Sequence, residues 1–285
     1  MNSSEISFSK FSEACADDKN SETKPRAWNP LSTDSISRKY SSYASFANNK
    51  AIYPVDASSQ LIENLETAHT EIRNHVLFEG FACVGARSAF NKNGYRFGLY
   101  PPMNSEPAVR SLCHDLYEFC NDFKFIGDEF VTYIAMFQED AVETEQEFEK
   151  LMWAHLQAMH DLDSKYFNWD SRVASEPSDN NFSFSIGERG LFVVGLHPQA
   201  SRLSRRFKYK TLVFNPHEQF ETLRERGKFE SMKKIIRARD VATQGSINPV
   251  LKNFGESSEA RQYSGRAVED DWLCPFHTHR GKKDE

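Results

Sequence analysis

The chain has 285 residues, a formal net charge of −6 and 39% hydrophobic residues, among them 23 phenylalanines. This length allows one large domain with a sizeable core, and the net negative charge disfavours a general nucleic-acid binder, since such proteins are usually basic. No apolar stretch approaches the length of a transmembrane helix, and no secretory or transit pattern is recognisable at the N-terminus. Five cysteines without a Cys-x-x-Cys pair indicate a reducing, cytoplasmic location.

The N-terminal 60 residues are predicted to form a low-order tail. Serine occupies 14 of these positions and aliphatic residues are few. Such a composition buries too little apolar surface to offset the entropy lost when the backbone is ordered. Residues 61–276 are predicted to form the globular domain, and residues 277–285 a charged C-terminal tail.

Helices and strands interleave along the globular segment. Spacings of three and four between apolar residues predict helices, and β-rich apolar runs predict strands. The predicted helices are 61–75, 106–122, 144–160, 229–239 and one that begins after 215–216, and no element is predicted for 241–276. The predicted strands are 95–100, 129–138 and 211–214, with a hairpin over 182–196 that turns at 187–190, and 76–84 is predicted to be a strand or extended chain. Without an even βαβ rhythm, this order favours an α+β fold: one mixed domain with a central, largely antiparallel sheet flanked by helices.

The segment 192–220 concentrates candidate chemistry. His197 follows an apolar run and precedes Pro198, so we expect it at a strand end with a restricted backbone. Arg202, Arg205 and Arg206 come next and would share a face if this stretch were helical. Guanidinium groups bind carboxylates through paired hydrogen bonds, so the cluster is a candidate anion clamp. The alternative is that His197 is a turn residue without a functional role and that the arginines form a solvent-exposed basic surface.

Several other residues could bind a metal or cofactor, and each has a structural alternative. A histidine on the apolar face of a helix is more often a core residue, a histidine at a helix start often serves capping, and a buried cysteine often acts as a small apolar side chain. The competing residues are His155, His160, His217, Cys83, Cys274 and the His277/His279 pair.

The stretch 202–239 holds 12 Lys and Arg residues against four Glu residues. Such a basic stretch could bind nucleic acid or a protein partner. Pairing within the fold and anion binding account for it more simply, because no nucleic-acid motif accompanies it. We therefore expect neither nucleic acid nor a membrane among the partners. Neither a Gly-x-Ser-x-Gly elbow nor a phosphate-binding glycine loop is present.

Seven segments in one order carry a family resemblance. They read FACVGARSAFNKNGYRFG, LQAMHDLD, GLHPQASRLSRR, TLVFNPHEQFETLR, RARDVATQGSINPVL, SSEARQYSGR and WLCPF. Together they resemble the YqcI/YcgG family over nearly the whole globular part. One departure is Ala82, which stands where the family commonly has proline before its cysteine.

The resemblance implies a heme-dependent monooxygenase that N-hydroxylates a guanidino substrate such as arginine or a derivative, with heme b, O₂ and an external electron donor. Under this hypothesis His197 is the axial ligand, with Cys274 and His160 as alternatives. The propionates would be held by Arg202, Arg205 and Arg206. Candidates for binding the guanidinium are Asp161, Asp163 and Glu259, and further site residues could be Arg87, Asn91 and Arg96.

Two alternatives stay open at this point. The first is a non-catalytic heme- or anion-binding protein, a sensor or carrier, that uses the same residues. The second is a binding module for nucleic acid or a protein partner that uses the basic stretch.

Overall fold

The structure, a computed structural model, describes residues 28–127, 130–138, 142–246 and 257–279. The strands are β1 (Ser45–Ala47), β2 (Lys50–Ile52), β3 (Tyr95–Tyr100), β4 (Thr132–Phe137), β5 (Phe184–Ile186), β6 (Arg189–Leu196) and β7 (Thr211–Pro216). The helices are α1 (Ser35–Tyr40), α2 (Ser59–Leu77), α3 (Val84–Asn91), α4 (Glu106–Ile126), α5 (Glu145–Asp163), α6 (His217–Glu225), α7 (Phe229–Gln244) and α8 (Ala260–Tyr263).

A five-stranded sheet with the order β3-β4-β7-β6-β5 forms the centre of the domain, and β1 and β2 form a small separate hairpin. Strands β3 and β4 are parallel, whereas the other neighbours in the sheet are antiparallel. Helices pack on both sides. The predicted α+β fold with a largely antiparallel sheet is therefore confirmed.

The two sides of the sheet carry separate apolar cores, because successive residues of a strand point to opposite faces. On β4, Ile134 belongs to the core formed with α2 and α3, while Tyr133 and Ala135 belong to the core formed with α4 and α5. On β6, Leu196 belongs to the first core and Val193 to the second. We call these sides the α3 face and the α5 face.

Most predicted elements are observed, but no strand forms over 76–84, which was predicted to be a strand or extended chain. Helix α2 runs on to Leu77, and after a short turn the chain enters α3 at Val84. The apolar residues of this region pack as helix faces and turn residues, not as an alternating strand. Asn93, with φ 53°, follows the end of α3 and leads into β3.

Part of the predicted tail has regular structure. Residues 28–60 contain α1 and the β1–β2 hairpin, and residues 1–27 lie outside the described residues. Buried Asp115 on α4 accepts hydrogen bonds from the Ser41 hydroxyl (2.6 Å) and the Ser42 amide (3.0 Å). Asp34 forms an ion pair with Arg110 on the same helix. Polar contacts thus attach this segment to α4. Its low content of apolar residues therefore gave no indication that it would be ordered.

The described residues 257–279 contain one short helix, α8, in a stretch for which no element was predicted. Strand β6 has β5 as a neighbour only from Arg189 to Leu191, and α8 packs against β6. Residues 247–256 and 280–285 lie outside the described part of the chain. Within the part that the structure describes, no helix combines the length and apolar character that crossing a membrane requires.

Candidate functional site

A cavity of ≈ 320 Å³ lies on the α3 face of the sheet. Its floor includes Ile134, Val194 and Val213 from the three central strands, and its walls come from α2, α3, α6 and α7. Apolar side chains form most of the lining, with a small number of polar groups among them. Cavities of this size and character are typical of sites for small molecules and cofactors.

Helix α7 supplies one wall of the cavity. Phe229, Met232 and Ile236 recur at spacings of three and four, so they share one helical face, and all three line the cavity. The C-terminal end of the helix is attached to the rest of the domain by Asp240, which pairs with Arg202 at 2.7 Å. Thr243 also donates a hydrogen bond to the Gly80 carbonyl (2.8 Å).

Cys83 lines the cavity at the N-terminus of α3. Its Sγ caps the helix and lies 3.4 Å from the amide nitrogen of Ala86, which donates to it. Burial raises the pKa of the thiol, while the Ala86 and Gly85 amides and the nearby Arg205 and Arg239 act in the opposite direction. A helix N-terminus stabilises negative charge, so it partly offsets the effect of burial on this thiol.

Glu259 brings a carboxyl group into the same lining. The residue is buried and accepts a hydrogen bond from Ser183 at 3.2 Å. Burial raises the pKa of the Glu259 carboxyl to about 7, whereas the Ser183 hydroxyl and Arg224 lower it. A carboxyl group in an apolar cavity with a pKa near neutrality is typical of functional sites.

His197 is at the end of β6, as predicted from the sequence, but it lies on the α5 face. Its ring stacks on Phe148 with centroids 4.3 Å apart. Gly195 permits this packing, since a Cβ there would lie 2.6 Å from the Phe148 ring. Burial lowers the pKa of His197 to about 4, so the imidazole is neutral at physiological pH. His197 does not line the cavity, which is on the other side of the sheet.

The three candidate arginines do not share a helical face. Only a 3₁₀ turn, Leu203–Arg205, forms in this segment. Arg202 binds Asp240, whereas Arg205 donates to the carbonyls of Gly195, Tyr263 and Gln262, and Arg206 donates to those of Ala200 and Ser201. These guanidinium groups attach the 200–206 loop to its neighbours. Arg205 alone of the three lines the cavity.

The other predicted iron ligands lie with the core of the α5 face. His160 Nε2 accepts a hydrogen bond from the His279 amide (3.0 Å), and its ring packs against Trp169 and Phe276. His155 Nδ1 accepts one from the Asn104 amide (3.2 Å). Cys274 is half-buried against the same core, and burial raises the pKa of its thiol to about 12.

The predicted substrate carboxylates are also outside the cavity lining. Asp161 is half-exposed and lies 3.2 Å from His279 Nε2. Asp163 is buried and accepts a hydrogen bond from the Gly187 amide (3.0 Å), which supports the β5–β6 turn. Of the three carboxylates that the sequence proposed, the structure places only Glu259 in the cavity.

Arg87 and Arg96 have local structural contacts, and Asn91 ends α3. Arg87 donates to the carbonyls of Phe78 and Glu79, and Arg96 to that of Tyr95. None of the three lines the cavity. Over the described ranges, no group of three or more His, Cys, Asp or Glu residues has the arrangement of a metal site.

Asp163 provides a test of buried charge on the α5 face. Burial raises the pKa of its carboxyl from 3.8 to about 7, so the folded state binds this proton more tightly than the unfolded state does. Its contribution to stability is complete below about pH 4 and is lost as the pH rises to about 7. Relative to wild type, Asp163→Asn should therefore gain stability over this range, by the order of a few kcal/mol.

Urea unfolding at a series of pH values measures this difference. Asp161→Asn, on the exposed neighbour, is the matched control and should follow the wild-type profile. A stability difference between Asp163→Asn and wild type that does not change with pH would contradict the assignment.

Comparison with curated proteins finds no match, and comparison with solved structures finds none either. A family profile described as the YqcI/YcgG family matches residues 72–277. This range includes α3 with Cys83, the five-stranded sheet, α7 and α8, so it holds nearly every element that forms the cavity. On this match over most of its length, the chain belongs to the YqcI/YcgG family.

Proposed function

We propose that this protein is a heme-dependent monooxygenase that N-hydroxylates a guanidino substrate, such as arginine or a derivative, in the cavity on the α3 face. The observation that carries the proposal is the joint placement of a thiol, Cys83, and a buried carboxyl, Glu259, in one largely apolar lining. The thiol could serve as an iron ligand, and the carboxyl could bind a cationic substrate. The resemblance described above supports the same class of reaction.

The donor set of the cavity is compatible with heme b. Its apolar floor and walls suit the macrocycle, and Cys83 offers the soft ligand that an oxygenase iron uses. Cationic side chains suited to the propionates also belong to the lining, namely Arg205, Arg224, Lys233 and Arg237. The heme would supply O₂ activation with electrons from an external donor, and the protein would supply binding and orientation.

Cys83 would be the axial ligand, in place of His197. Among the histidines and cysteines that the sequence nominated, Cys83 is the one in the cavity lining. Its helix N-terminus and the Ala86 amide would hold the sulfur as thiolate and fix its direction. His197, by contrast, is packed against Phe148 behind the sheet.

The guanidinium of the substrate would be held by Glu259. A carboxylate and a guanidinium form charge-assisted hydrogen bonds, which gain strength where water is excluded. The surrounding apolar walls provide that exclusion. Because the four described cysteines are unpaired, we also propose a reducing cytoplasm as the site of action, with the substrate, O₂ and the electron donor as partners.

A two-stage experiment tests this function. The full-length protein is supplied with heme b and its absorption spectrum recorded, then arginine, O₂ and a reductant are added and the product is analysed by mass spectrometry. We expect stoichiometric heme and a product that has gained one oxygen atom on the guanidino group. Bound heme without oxygen insertion would favour a sensor or carrier, and no bound heme would overturn the proposal.

A further inference from the structure

A row of four polar side chains leads from the cavity to the protein surface. Ser183 Oγ lies 3.2 Å from Glu259 Oε2 and 3.2 Å from His217 Nδ1. His217 Nε2 lies 3.6 Å from Glu221 Oε1. Glu259 lines the cavity and Ser183 is fully buried, whereas the Glu221 side chain is 49% exposed. A carboxyl, a hydroxyl and an imidazole in this order can pass a proton along their hydrogen bonds.

We propose that Glu259, Ser183 and His217 form a proton relay, through which a cation that enters the cavity is exchanged for a proton that leaves at the surface. The inference rests on the cationic substrate class of the proposed function, but it does not require heme. It assigns roles to two buried residues, Ser183 and His217, that do not line the cavity.

The proton transfer balances at each atom. When Glu259 is protonated, its carboxyl donates to Ser183 Oγ, in place of the bond that its carboxylate accepts from Ser183, and the Ser183 hydroxyl is then free to donate to His217 Nδ1. When a guanidinium arrives, the Glu259 proton moves to Ser183 Oγ while the Ser183 proton moves to His217 Nδ1. The resulting imidazolium releases its Nε2 proton to solvent beside Glu221. One positive charge has entered and one has left, and Ser183 now donates to the Glu259 carboxylate.

The surroundings favour a resting proton on Glu259. Burial raises the pKa of Glu259 to about 7 and burial lowers the pKa of His217 below its usual range. Both shifts act against the order of the two groups in water, where imidazole is the stronger base. Arg224 on α6 faces both groups and Tyr263 on α8 faces Glu259, while the other charged groups that face His217 are Glu221, Asp170 and Arg172.

Proton release on binding of arginine measures the relay in the full-length protein. A pH indicator in weakly buffered solution, followed by stopped flow, gives both the amount and the rate. Because the pKa of Glu259 is raised to about 7, we expect most binding events to release a proton at pH 6 and few to do so at pH 8. At pH 6, the rate of proton release should equal the rate of arginine binding.

Ser183 variants distinguish the path that the proton takes from the equilibrium of arginine binding. In Ser183→Ala, arginine should bind but the proton should appear at least about tenfold more slowly, because the link between carboxyl and imidazole is removed. Ser183→Thr, which keeps a hydroxyl, should restore the rate. The matched control is Ser185→Ala, a buried serine that accepts from the Asp170 amide and has no contact with Glu259.

Either of two results would overturn the relay: no proton release by wild type at pH 6, or release by Ser183→Ala at the wild-type rate. These readouts are distinct from those of the proposed function. Failure of heme binding or of hydroxylation leaves the proton measurement valid, and failure of the relay leaves the heme spectrum unchanged.

Discussion

Cys83→Ser should weaken heme binding by more than about 100-fold, because even the groups that merely support a metal ligand contribute 10–100-fold. The serine keeps the size and the helix cap but removes the soft thiolate donor. Titration of the full-length protein with heme b, followed by absorption, measures the change. Far-ultraviolet circular dichroism of the variant confirms that α3 and its neighbours stay folded.

Two variants control for the competing ligands. Cys274→Ser and His197→Phe should both retain heme binding, because each residue packs with the α5 face and lies outside the cavity lining. Phenylalanine preserves the stacking of residue 197 on Phe148. If His197→Phe loses the heme while Cys83→Ser keeps it, the ligand is on the α5 face and the cavity assignment fails.

Glu259→Gln should weaken arginine binding by about 2–5 kcal/mol, at least about 30-fold, since truncating one partner of a buried charge pair has a cost of this size. Glutamine keeps the shape of the side chain and its bond with Ser183, so the lost charge is the main change. Calorimetric titration at pH 8, where Glu259 is mostly ionised, gives the comparison with wild type.

Asp161→Asn and Asp163→Asn are the matched controls for this titration. The sequence nominated both carboxylates for the same role, and the structure places both outside the cavity. We expect wild-type affinity in each. Unchanged affinity in Glu259→Gln would show that the guanidinium binds elsewhere.

The sequence predicted the fold class and the position of His197 at a strand end, but not the face on which His197 lies. A strand with one exposed side alternates apolar and polar residues, and that alternation identifies its inner face. The run 191–196 is apolar at nearly every position because β6 has a core on both sides. The pattern therefore carried no information about which face holds the histidine.

The helix start at Cys83 was not predicted. The stretch 76–84 was predicted to be a strand or extended chain, whereas Cys83 is the N-cap of α3. The cavity itself joins segments distant in the chain, from α2 and α3 through α7 to Glu259. Local patterns predict the elements but not this assembly. One sequence pattern did indicate a wall of the cavity. Phe229, Met232 and Ile236 share an apolar face of α7, and such a face is expected to pack against another part of the domain.

X-ray absorption at the iron edge of the heme-loaded protein identifies the atoms bound to the iron. We expect a sulfur atom among the iron ligands of the wild-type protein, lost in Cys83→Ser and retained in Cys274→Ser. An iron surrounded only by nitrogen and oxygen in the wild-type protein would contradict the assignment of Cys83 as the axial ligand.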